Sequence, residues 1–409
     1  MFEQIAACRS CGSGDLELVL DLGIHALADG LISESQLDAE EPRFPLTVAL
    51  CTECGLMQIR ENVDPEQLFC RDYPYFSSFI PSLLRHSEAN VEEIIQERTL
   101  GSHSLVFELA SNDGYLLQHY KKHGIPVQGI DPAEGPARAA EKKGVPTLNT
   151  FFTRELALAL RAQGRRADVI HANNVLAHVP DLNGFVAGIA TLLKDDGVAV
   201  IECPHVHELI RHCEFDTIYH QHHCYFSVTA LRPLFQRHGL TLNDVRKLEI
   251  HGGSLRLFAS HRPGESESVR AVLAEERAAK LDTPEGYHSF GRQVAELRTK
   301  LLELLTRLKS EGATIAAYGA AAKGATMINT VGIGTEFVDF VADRNTHKHG
   351  RYMPGRHIPI RPAECLLERQ PDYTLLLAWN FKDEILAQQA EYRARGGRFI
   401  IPVPEPTIV

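Results

Sequence analysis

The sequence has no long hydrophobic run. No apolar stretch in its 409 residues approaches the ~20 residues that a membrane helix needs. Its first residues, MFEQIAACRSCGSG, have neither the basic start nor the apolar core of a secretory signal. We therefore expect a cytoplasmic protein with no membrane partner.

A basic excess is also lacking. The chain has 42 Lys and Arg against 53 Asp and Glu, a net charge of −11, which argues against a nucleic-acid partner. Its hydrophobic content of 44% and charged content of 23% are typical of a globular protein. A chain of 409 residues is too long for one ordinary core, so we expect two or three domains.

Four of the nine cysteines form two C-x-x-C pairs, CRSC and CTEC. Each pair is followed by a glycine, as a tight turn prefers, and two such turns can place four thiolates tetrahedrally around zinc. The gap of 39 residues between the pairs is longer than in common zinc ribbons, so four unrelated buried thiols are the alternative. No histidine completes a water-bearing site with them. We predict one structural zinc per chain, bound by Cys8, Cys11, Cys51 and Cys54.

Short apolar segments alternate with helical ones along most of the chain. SLVFELA, PVQGID, ADVIHANN and GVAVIEC predict one set of strands, and GATIAAYGAAAKG, VDFVADRN, DYTLLLAWN and GRFIIPVP predict a second set. This alternation favours doubly wound α/β sheets. Between the two sets, an amphipathic helix of about six turns is predicted from spacings of three and four. Its apolar positions are Phe290, Val294, Leu297, Leu301, Leu304 and Leu308.

The end of the first strand has the features of a cofactor site. Ligands of open α/β sheets lie at the carboxyl ends of the strands, and ELASNDG offers small residues there. Asp131 closes the second strand, where an acid can hold a ribose diol. The loop lacks G-x-G-x-x-G, and its acidic and amide groups suit the amino-acid end of S-adenosylmethionine; a nucleotide or a plain turn are the alternatives. The predicted cofactor residues are Glu108, Ala110, Asn112, Asp113, Gly114, Asp131, Asn173 and Asn174.

Together these motifs resemble a known family, the zinc-containing S-adenosylmethionine-dependent sugar C-methyltransferases, which act on nucleotide-linked 4-keto-deoxyhexoses. The resemblance covers essentially the whole chain, through the paired C-x-x-C motifs, YPYFSS, ELASNDG, NNVLAHVP, FDTIYHQH, HGGSLR, YGAAAKG and AWN. It implies a zinc-binding lobe, a Rossmann-like class I methyltransferase sheet and a second Rossmann-like α/β domain that helps to hold the nucleotide. We place these at 1–75, 76–285 and 286–409, and we expect a monomer.

The resemblance also implies a mechanism, in which a histidine removes the proton next to the ketone and the carbon, expected to be C-3, is methylated. That histidine is His222 here, with Tyr219 as the family's tyrosine. His178 and Tyr75 match the other polar groups around the substrate ring. One departure is Gln221, where the family has glutamate. A carboxylate would raise the pKa of the base, whereas an amide can only orient it by hydrogen bonding.

Further residues are expected to contact the substrate. The paired glycines of HGGSLR mark a close approach of backbone and ligand, which makes His251 a candidate. The small-residue turn of YGAAAKG opens a helix and suits a diphosphate, with Lys323 nearby; a plain packing turn is the alternative. Arg344 and Lys348 lie in the basic loop DRNTHKHGRYMPG.

Six histidines lie between His205 and His223. Apart from the proposed base, they are expected to be packing or surface residues, but a second metal site from HVH or HQH is an alternative, with Glu214 or Asp216 as an acidic ligand. Two other functions also stay open. One is methyl transfer to a different enolisable or phenolic acceptor. The other is a non-catalytic zinc-containing binding protein, against which the ELASNDG loop and its ribose acid argue.

Overall fold

The computed structural model describes residues 2–64 and 76–409. The N-terminal part is built from strands β1 (Phe2–Gln4), β2 (Leu16–Ala26), β3 (Arg43–Cys51), β4 (Met57–Ile59) and β5 (Glu61–Val63). Strands β2, β3 and β4 form an antiparallel sheet, and β1 pairs with β5. Alternate residues of β3, such as Leu46 and Val48, enter one core, whereas Cys51 packs into another, because side chains alternate along a strand.

The middle of the chain carries the largest sheet. Its strands are β6 (Val106–Leu109), β7 (Val127–Ile130), β8 (Thr147–Leu148), β9 (Ala167–Asn173), β10 (Leu193–Pro204), β12 (Thr241–Leu248) and β13 (Ser254–Ser260), and β11 (Cys224–Tyr225) lies outside it. The order is β12-β13-β10-β9-β6-β7-β8. Strands β6 to β10 are parallel, whereas β12 and β13 run antiparallel. The α/β fold is therefore confirmed, with a mixed sheet instead of a wholly parallel one.

Helices follow the strands in the same part of the chain. They are α1 (Pro81–Arg98), α2 (Leu117–Lys122), α3 (Glu134–Lys142), α4 (Arg154–Ala162), α5 (Leu182–Leu192), α6 (Val206–Arg211), α7 (Val228–Arg237) and α8 (Glu267–Ala278). Side-chain oxygens cap several of their first turns, for example Thr153 before α4 and Asp181 before α5. Such caps satisfy amides that have no partner within the helix.

The C-terminal part holds a second sheet. Its strands are β14 (Ile315–Tyr318), β15 (Val341–Asp343), β16 (Ile360–Pro362), β17 (Tyr373–Leu376), β18 (Arg398–Ile401) and β19 (Thr407–Ile408). The order is β16-β15-β14-β17-β18-β19, parallel except for β19. The helices here are α9 (Phe290–Ser310), α10 (Ala322–Val331), α11 (Cys365–Arg369), α12 (Lys382–Gln388) and α13 (Ala390–Ala394). The predicted second Rossmann-like domain is confirmed.

Helix α9 is the predicted long amphipathic helix. Five of the six predicted apolar positions are buried, but Leu304 is only partly buried and Leu305 takes its place in the core. The prediction assigned a spacing of three where the helix uses four, a difference that the 3.6-residue period permits. The core around α9 includes residues of β2 and β14, so α9 joins the N-terminal and C-terminal parts.

The short strand β11 belongs to the middle part of the chain but pairs with β4, and it thereby adds a fourth strand to the N-terminal sheet. The domain boundaries at 75 and 285 stay predictions. Among residues 2–64 and 76–409, no helix combines the length and apolar character required to span a bilayer.

Candidate functional site

A cavity of about 1010 Å³ is lined by residues from all three parts of the chain. One wall comes from the loops after β6, β7 and β9, the opposite wall from the loops after β14 and β15, and Asp29 enters from the N-terminal part. Ligand pockets usually measure about 300–1,000 Å³. The cavity therefore has room for a cofactor and a second ligand side by side.

Asp131 organises the first wall. Its Oδ2 accepts a hydrogen bond from the Asn112 amide, and its Oδ1 accepts one from the Ala133 amide, both at 2.8 Å. Burial raises the pKa of Asp131 to about 6, against the lowering effect of those two amides. The carboxylate is thus fixed in orientation at the strand end, with lone pairs left to accept from a diol.

Four other predicted cofactor residues line the same wall. The backbones of Ala110, Asn112 and Asn174 have positive φ angles of 56°, 48° and 54°. Such angles are uncommon outside glycine, and they cluster at functional sites. Asn173 also lines the cavity, and its Oδ1 is buried without a hydrogen-bond partner among the described residues. An acceptor of this kind fits the amino group of S-adenosylmethionine.

Glu108, Asp113 and Gly114 lie outside the cavity lining. Glu108 is buried in β6, where desolvation and the charge of Asp131 raise its pKa well above the usual range. The Asp113 carboxylate instead forms an ion pair of 3.0 Å with Lys143. Gly114 has a φ of 76° and packs against Val145. These three residues shape the loop from behind.

His222 lies in the wall between the two sheets. Its Nδ1 is 2.8 Å from the Thr217 carbonyl oxygen, and its Nε2 is 2.8 Å from the Tyr219 hydroxyl. Because a carbonyl can only accept, Nδ1 carries the proton and Nε2 keeps a lone pair, which accepts from the tyrosine. Burial lowers the pKa of His222 well below its usual range. The ring is therefore neutral, with a basic nitrogen beside the cavity.

His178 completes the predicted group around this base. Its ring meets the His222 ring edge to face, with 4.6 Å between the centroids, and burial lowers the pKa of His178 to about 4. His178, Tyr219 and His222 all line the cavity. Tyr75, the remaining predicted member, lies outside the described residues.

Gln221 lies behind the base, away from the cavity lining. Gln221 is almost fully buried. Its side-chain Nε2 lies 3.4 Å from Oδ2 of Asp29, which is a long hydrogen bond. Asp29 itself lines the cavity. The structure thus places a carboxylate, from the N-terminal part of the chain, beside the amide that stands where the family has glutamate.

The opposite wall is basic. Lys323 lies over the Trp379 ring, with its Nζ 4.5 Å from the centroid. Lys348 is buried, and its Nζ donates to the Ala320 carbonyl over 2.7 Å. Arg344 is exposed at the rim, and His251, with a φ of 60°, sits near the Phe381 ring. Four of the five predicted substrate residues line the cavity, His251, Lys323, Arg344 and Lys348, and the fifth, Tyr75, lies outside the described residues.

Two buried acids surround Lys323. Asp216 accepts a hydrogen bond of 2.6 Å from the Trp379 indole, and burial raises its pKa to about 6 although the charge of Lys323 opposes this. Burial likewise raises the pKa of Glu214 to about 7, again opposed by Lys323. The ammonium group of Lys323 therefore contacts the Trp379 ring and interacts with the two acids through their charges alone.

Several cavity residues escaped the sequence prediction. Phe151 and Phe152 add an apolar surface near Asp131, and the Ser77 amide donates to the Asn112 side chain over 2.9 Å. Asp343 and Asn345 line the opposite wall. An acid that closes the second strand of a sheet was the signal that identified Asp131, and the same signal in VDFVADRN would have identified Asp343.

The four predicted zinc ligands come together outside the cavity. Their sulfur atoms all lie within 4.8 Å of one another, with 3.6 Å from Cys8 to Cys54 and 3.4 Å from Cys11 to Cys51. Thiolates around zinc lie about 3.8 Å apart, given a Zn–S distance of about 2.3 Å. The Ser10 amide and the Gln58 side chain direct N–H groups at the Cys8 sulfur. The donor set therefore fits a closed zinc centre.

Three family models match successive parts of the chain. Residues 8–69 match a "Putative zinc binding domain", residues 84–245 a "Methyltransferase domain" and residues 249–404 a "C-methyltransferase C-terminal domain". Among curated proteins, the chain is 35% identical over 408 residues to the C-methyltransferase NovU of Streptomyces niveus, covering 99% of this chain and 97% of that protein.

Two further similarities cover less than half of the chain. The chain is 31% identical over 104 residues to the ubiquinone biosynthesis O-methyltransferase of Pasteurella multocida, covering 23% of this chain and 43% of that protein. The crystal structure of magnesium protoporphyrin IX methyltransferase from Synechocystis PCC 6803 with bound S-adenosylmethionine is 14% identical. It aligns over 44% of this chain and 79% of the other with a TM-score of 0.34.

Proposed function

Because the chain belongs to the C-methyltransferase family, we propose that it methylates the carbon next to the ketone of a nucleotide-linked 4-keto-deoxysugar. The carbon is expected to be C-3, and His222 is the base. The chain is an S-adenosylmethionine-dependent methyltransferase with a zinc centre, as its sequence predicted. We also propose that it is a cytoplasmic monomer without a nucleic-acid partner, divided at about residues 75 and 285.

One observation supports this function above the others. The basic nitrogen of His222 and the fixed carboxylate of Asp131 line the same cavity. S-adenosylmethionine, when bound, supplies an electrophilic methyl group, which a carbon bearing only C–H bonds cannot attack. The carbon therefore has to lose a proton first, and a positioned base contributes typically about 10² to 10⁴ in rate to such a step.

The proton has a defined destination. In the proposed step, Nε2 of His222 takes the proton from the carbon next to the ketone, and the C–H electron pair moves into the enolate. Nδ1 stays bonded to the Thr217 carbonyl, which stabilises the imidazolium that forms. Tyr219, which donates to Nε2 in this structure, would turn to the ketone oxygen, with His178 nearby, since a donor aimed at developing charge lowers the barrier. With S-adenosylmethionine bound, the enolate carbon would form a bond to its methyl group as the methyl–sulfur bond breaks, and S-adenosylhomocysteine would be the leaving group.

The departure at Gln221 has a structural context. The Gln221 side chain is hydrogen-bonded to Asp29. A carboxylate is therefore present near the proposed base, but it lies on the far side of the residue that replaces the family's glutamate. We propose that Gln221 orients the base and that Asp29 faces the sugar, where a carboxylate would accept hydrogen bonds from its hydroxyl groups. This arrangement also favours keeping the enolisation mechanism in spite of the departure.

The basic wall suits the nucleotide end of the substrate. Lys323 lines the cavity from the first turn of α10, and Lys348 and Arg344 line it from the segment after β15. A diphosphate is the anion that such a wall would bind. His251 is placed to contact the sugar or the diphosphate. Tyr75, as implied by the family, would contact the sugar ring.

Solvent exchange tests the proposal directly. The purified enzyme is incubated in D₂O with a nucleotide-linked 4-keto-6-deoxyhexose and without cofactor, and loss of the α-proton signals is followed by NMR. We expect exchange at C-3 with the wild type and none above the spontaneous rate with His222→Asn. Exchange at C-5, the other carbon next to the ketone, would move the methylation site but keep the mechanism.

A different acceptor would give a different result. If S-adenosylhomocysteine binds in a calorimetric titration but no keto sugar exchanges, the enolising sugar reaction is wrong and another acceptor has to be sought. If S-adenosylhomocysteine does not bind either, the placement of the cofactor at Asp131 is wrong. The calorimetric titration and the exchange experiment together separate the cofactor site from the sugar chemistry.

A further inference from the structure

A second group of metal-ligating side chains lies away from the cavity. His205, His207 and Glu208 follow β10 and open α6, and one ligand atom from each lies within 4.8 Å of the other two. None of the three lines the cavity, and none belongs to the thiolate centre. They come from HVH and the residue after it, one of the histidine motifs that the proposed reaction does not use.

Hydrogen bonds determine which nitrogen of His205 is available. The Glu276 carboxylate accepts from the Val228 amide, from the Thr229 amide and hydroxyl, and is 2.8 Å from Nε2 of His205. Because the carboxylate is fully buried among donors, Nε2 carries a proton and donates it. Nδ1 then keeps its lone pair, and it is buried without a partner.

This arrangement is the usual one for a histidine that binds a metal. Metal-ligating histidines almost always donate their second ring N–H to a carboxylate or carbonyl, which fixes the tautomer and the ring. His205 is 1% exposed, so an unpartnered Nδ1 there has no water to compensate for the missing hydrogen bond. A metal ion would supply the missing partner.

The other two groups complete a ligand set. Nδ1 of His207 is also buried without a partner, and the His205 and His207 rings meet nearly at right angles, 5.6 Å apart. One oxygen of Glu208, Oε2, is bound by Arg211, and the other oxygen is left for a cation. Arg211 and Lys247 are the nearby cations, and Lys247 is paired with Glu275.

We propose that His205, His207 and Glu208 bind one divalent transition-metal ion of the kind that prefers imidazole ligands, in addition to the zinc in the thiolate centre. Two histidines and a carboxylate leave a coordination position open for water. The His205 amide donates to the Gly253 carbonyl, and Gly253 packs against Glu208. The ion would therefore restrain the turn that carries His251 into the cavity.

Metal content and cobalt spectra test this site. The full-length protein, with its thiolate centre filled, is dialysed against Zn²⁺ and analysed for metal, and we expect two ions per wild-type chain. His207→Ala is the informative variant because His207 is only partly buried, and we expect it to hold one ion. His288→Ala is the matched control, since His288 is exposed and pairs with Glu17, and we expect it to hold two.

Cobalt identifies where the second ion binds. Thiolate ligands give Co²⁺ an intense charge-transfer band, whereas a site of nitrogen and oxygen ligands gives only weak visible bands. We expect the second equivalent of Co²⁺ to add weak bands alone, and His207→Ala to remove them. One ion per wild-type chain, or a second ion that His207→Ala holds as well as His288→Ala does, would overturn the proposal.

Discussion

The two Rossmann-like sheets use an aspartate in the same way and surround it with different charges. Asp131 ends β7 and bonds the Asn112 amide of the neighbouring loop and the Ala133 amide two residues further on. Asp343 ends β15 and bonds the Ala320 amide and the Asn345 amide, both over 2.7 Å. Each carboxylate therefore joins the loops after two adjacent strands.

The side chains around the two aspartates differ in charge. The loop near Asp131 presents Asn112 and Asn173, whereas the loop near Asp343 presents Lys323 and the buried Lys348. The backbone geometry is shared, so the fold itself does not select the ligand. The comparison suggests a rule that the predictions below test: the charge of a few nearby residues would direct a cationic cofactor to one sheet and the proposed phosphate-bearing substrate to the other.

The largest effect is expected at the residue between the two sites. His222→Asn should lower turnover by about 10² to 10⁴ while both ligands still bind, because His222 belongs to neither loop. Initial rates and calorimetric affinities for S-adenosylhomocysteine and a nucleoside diphosphate measure this. His223→Asn is the control, since His223 is buried outside the cavity. A dispensable His222 with an indispensable His223 would refute the assignment.

The next effect separates the two aspartates. Asp131→Ala should weaken S-adenosylhomocysteine binding by about ten- to a hundredfold, the equivalent of about 1.5–3 kcal/mol for a charge-assisted hydrogen bond, and leave nucleotide binding unchanged. Asp343→Ala should do the reverse. Calorimetry with each ligand on each variant measures the four affinities. If both variants lost affinity for both ligands equally, the two sheets would not bind separate ligands.

The third prediction concerns Lys323, at the start of α10. Lys323→Ala should lower the affinity for a nucleoside diphosphate, and added salt should lower the wild-type affinity more than that of the variant. The affinity for S-adenosylhomocysteine should stay within experimental error. Lys382→Ala serves as the control, because that lysine is exposed and lies outside the cavity lining. Titrations at two salt concentrations provide the measurement.

The fourth prediction follows from the pKa of Asp131. Burial raises it to about 6 from an ordinary value of 3.8. As the pH falls through about 6, the carboxylate becomes protonated and its charge-assisted hydrogen bonds are lost. S-adenosylhomocysteine binding should therefore weaken by up to about tenfold per pH unit below that point and be constant above it. Asp131→Asn should bind more weakly and show no such dependence between pH 5 and 7 (about one unit on either side of the transition).

The smallest effect concerns the pH dependence of the base. Gln221→Glu introduces a carboxylate beside His222, whose pKa burial now lowers well below the usual range. The added negative charge should raise that pKa, so the acid limb of the pH–rate profile should move to higher pH. Rates across the acid range, with Gln221→Asn as the uncharged control, test the shift. An unchanged limb would show that His222 is not the group that titrates.

Local sequence patterns predicted the turns, strands and helices whose formation depends on residues close together in the sequence. The two C-x-x-C turns, the strands before Asp131 and Asn173 and the long helix α9 are all present. Asp29 was missed because nothing in its own neighbourhood sets it apart, and only the packing of the N-terminal sheet brings it to the cavity. The antiparallel pairing of β12 and β13 with the first sheet was missed for a related reason, because it depends on contacts distant in sequence.

The place of β11 limits how far the chain can be divided into independent modules. Cys224 pairs with Gln58 through the backbone, and the Gln58 side chain in turn donates to the Cys8 sulfur. Only one residue separates Cys224 from His222. A truncation that removes residues 2–64 would therefore release the segment that carries His222, and we expect the methyltransferase sheet to be inactive when it is excised, shuffled or grafted without its zinc lobe.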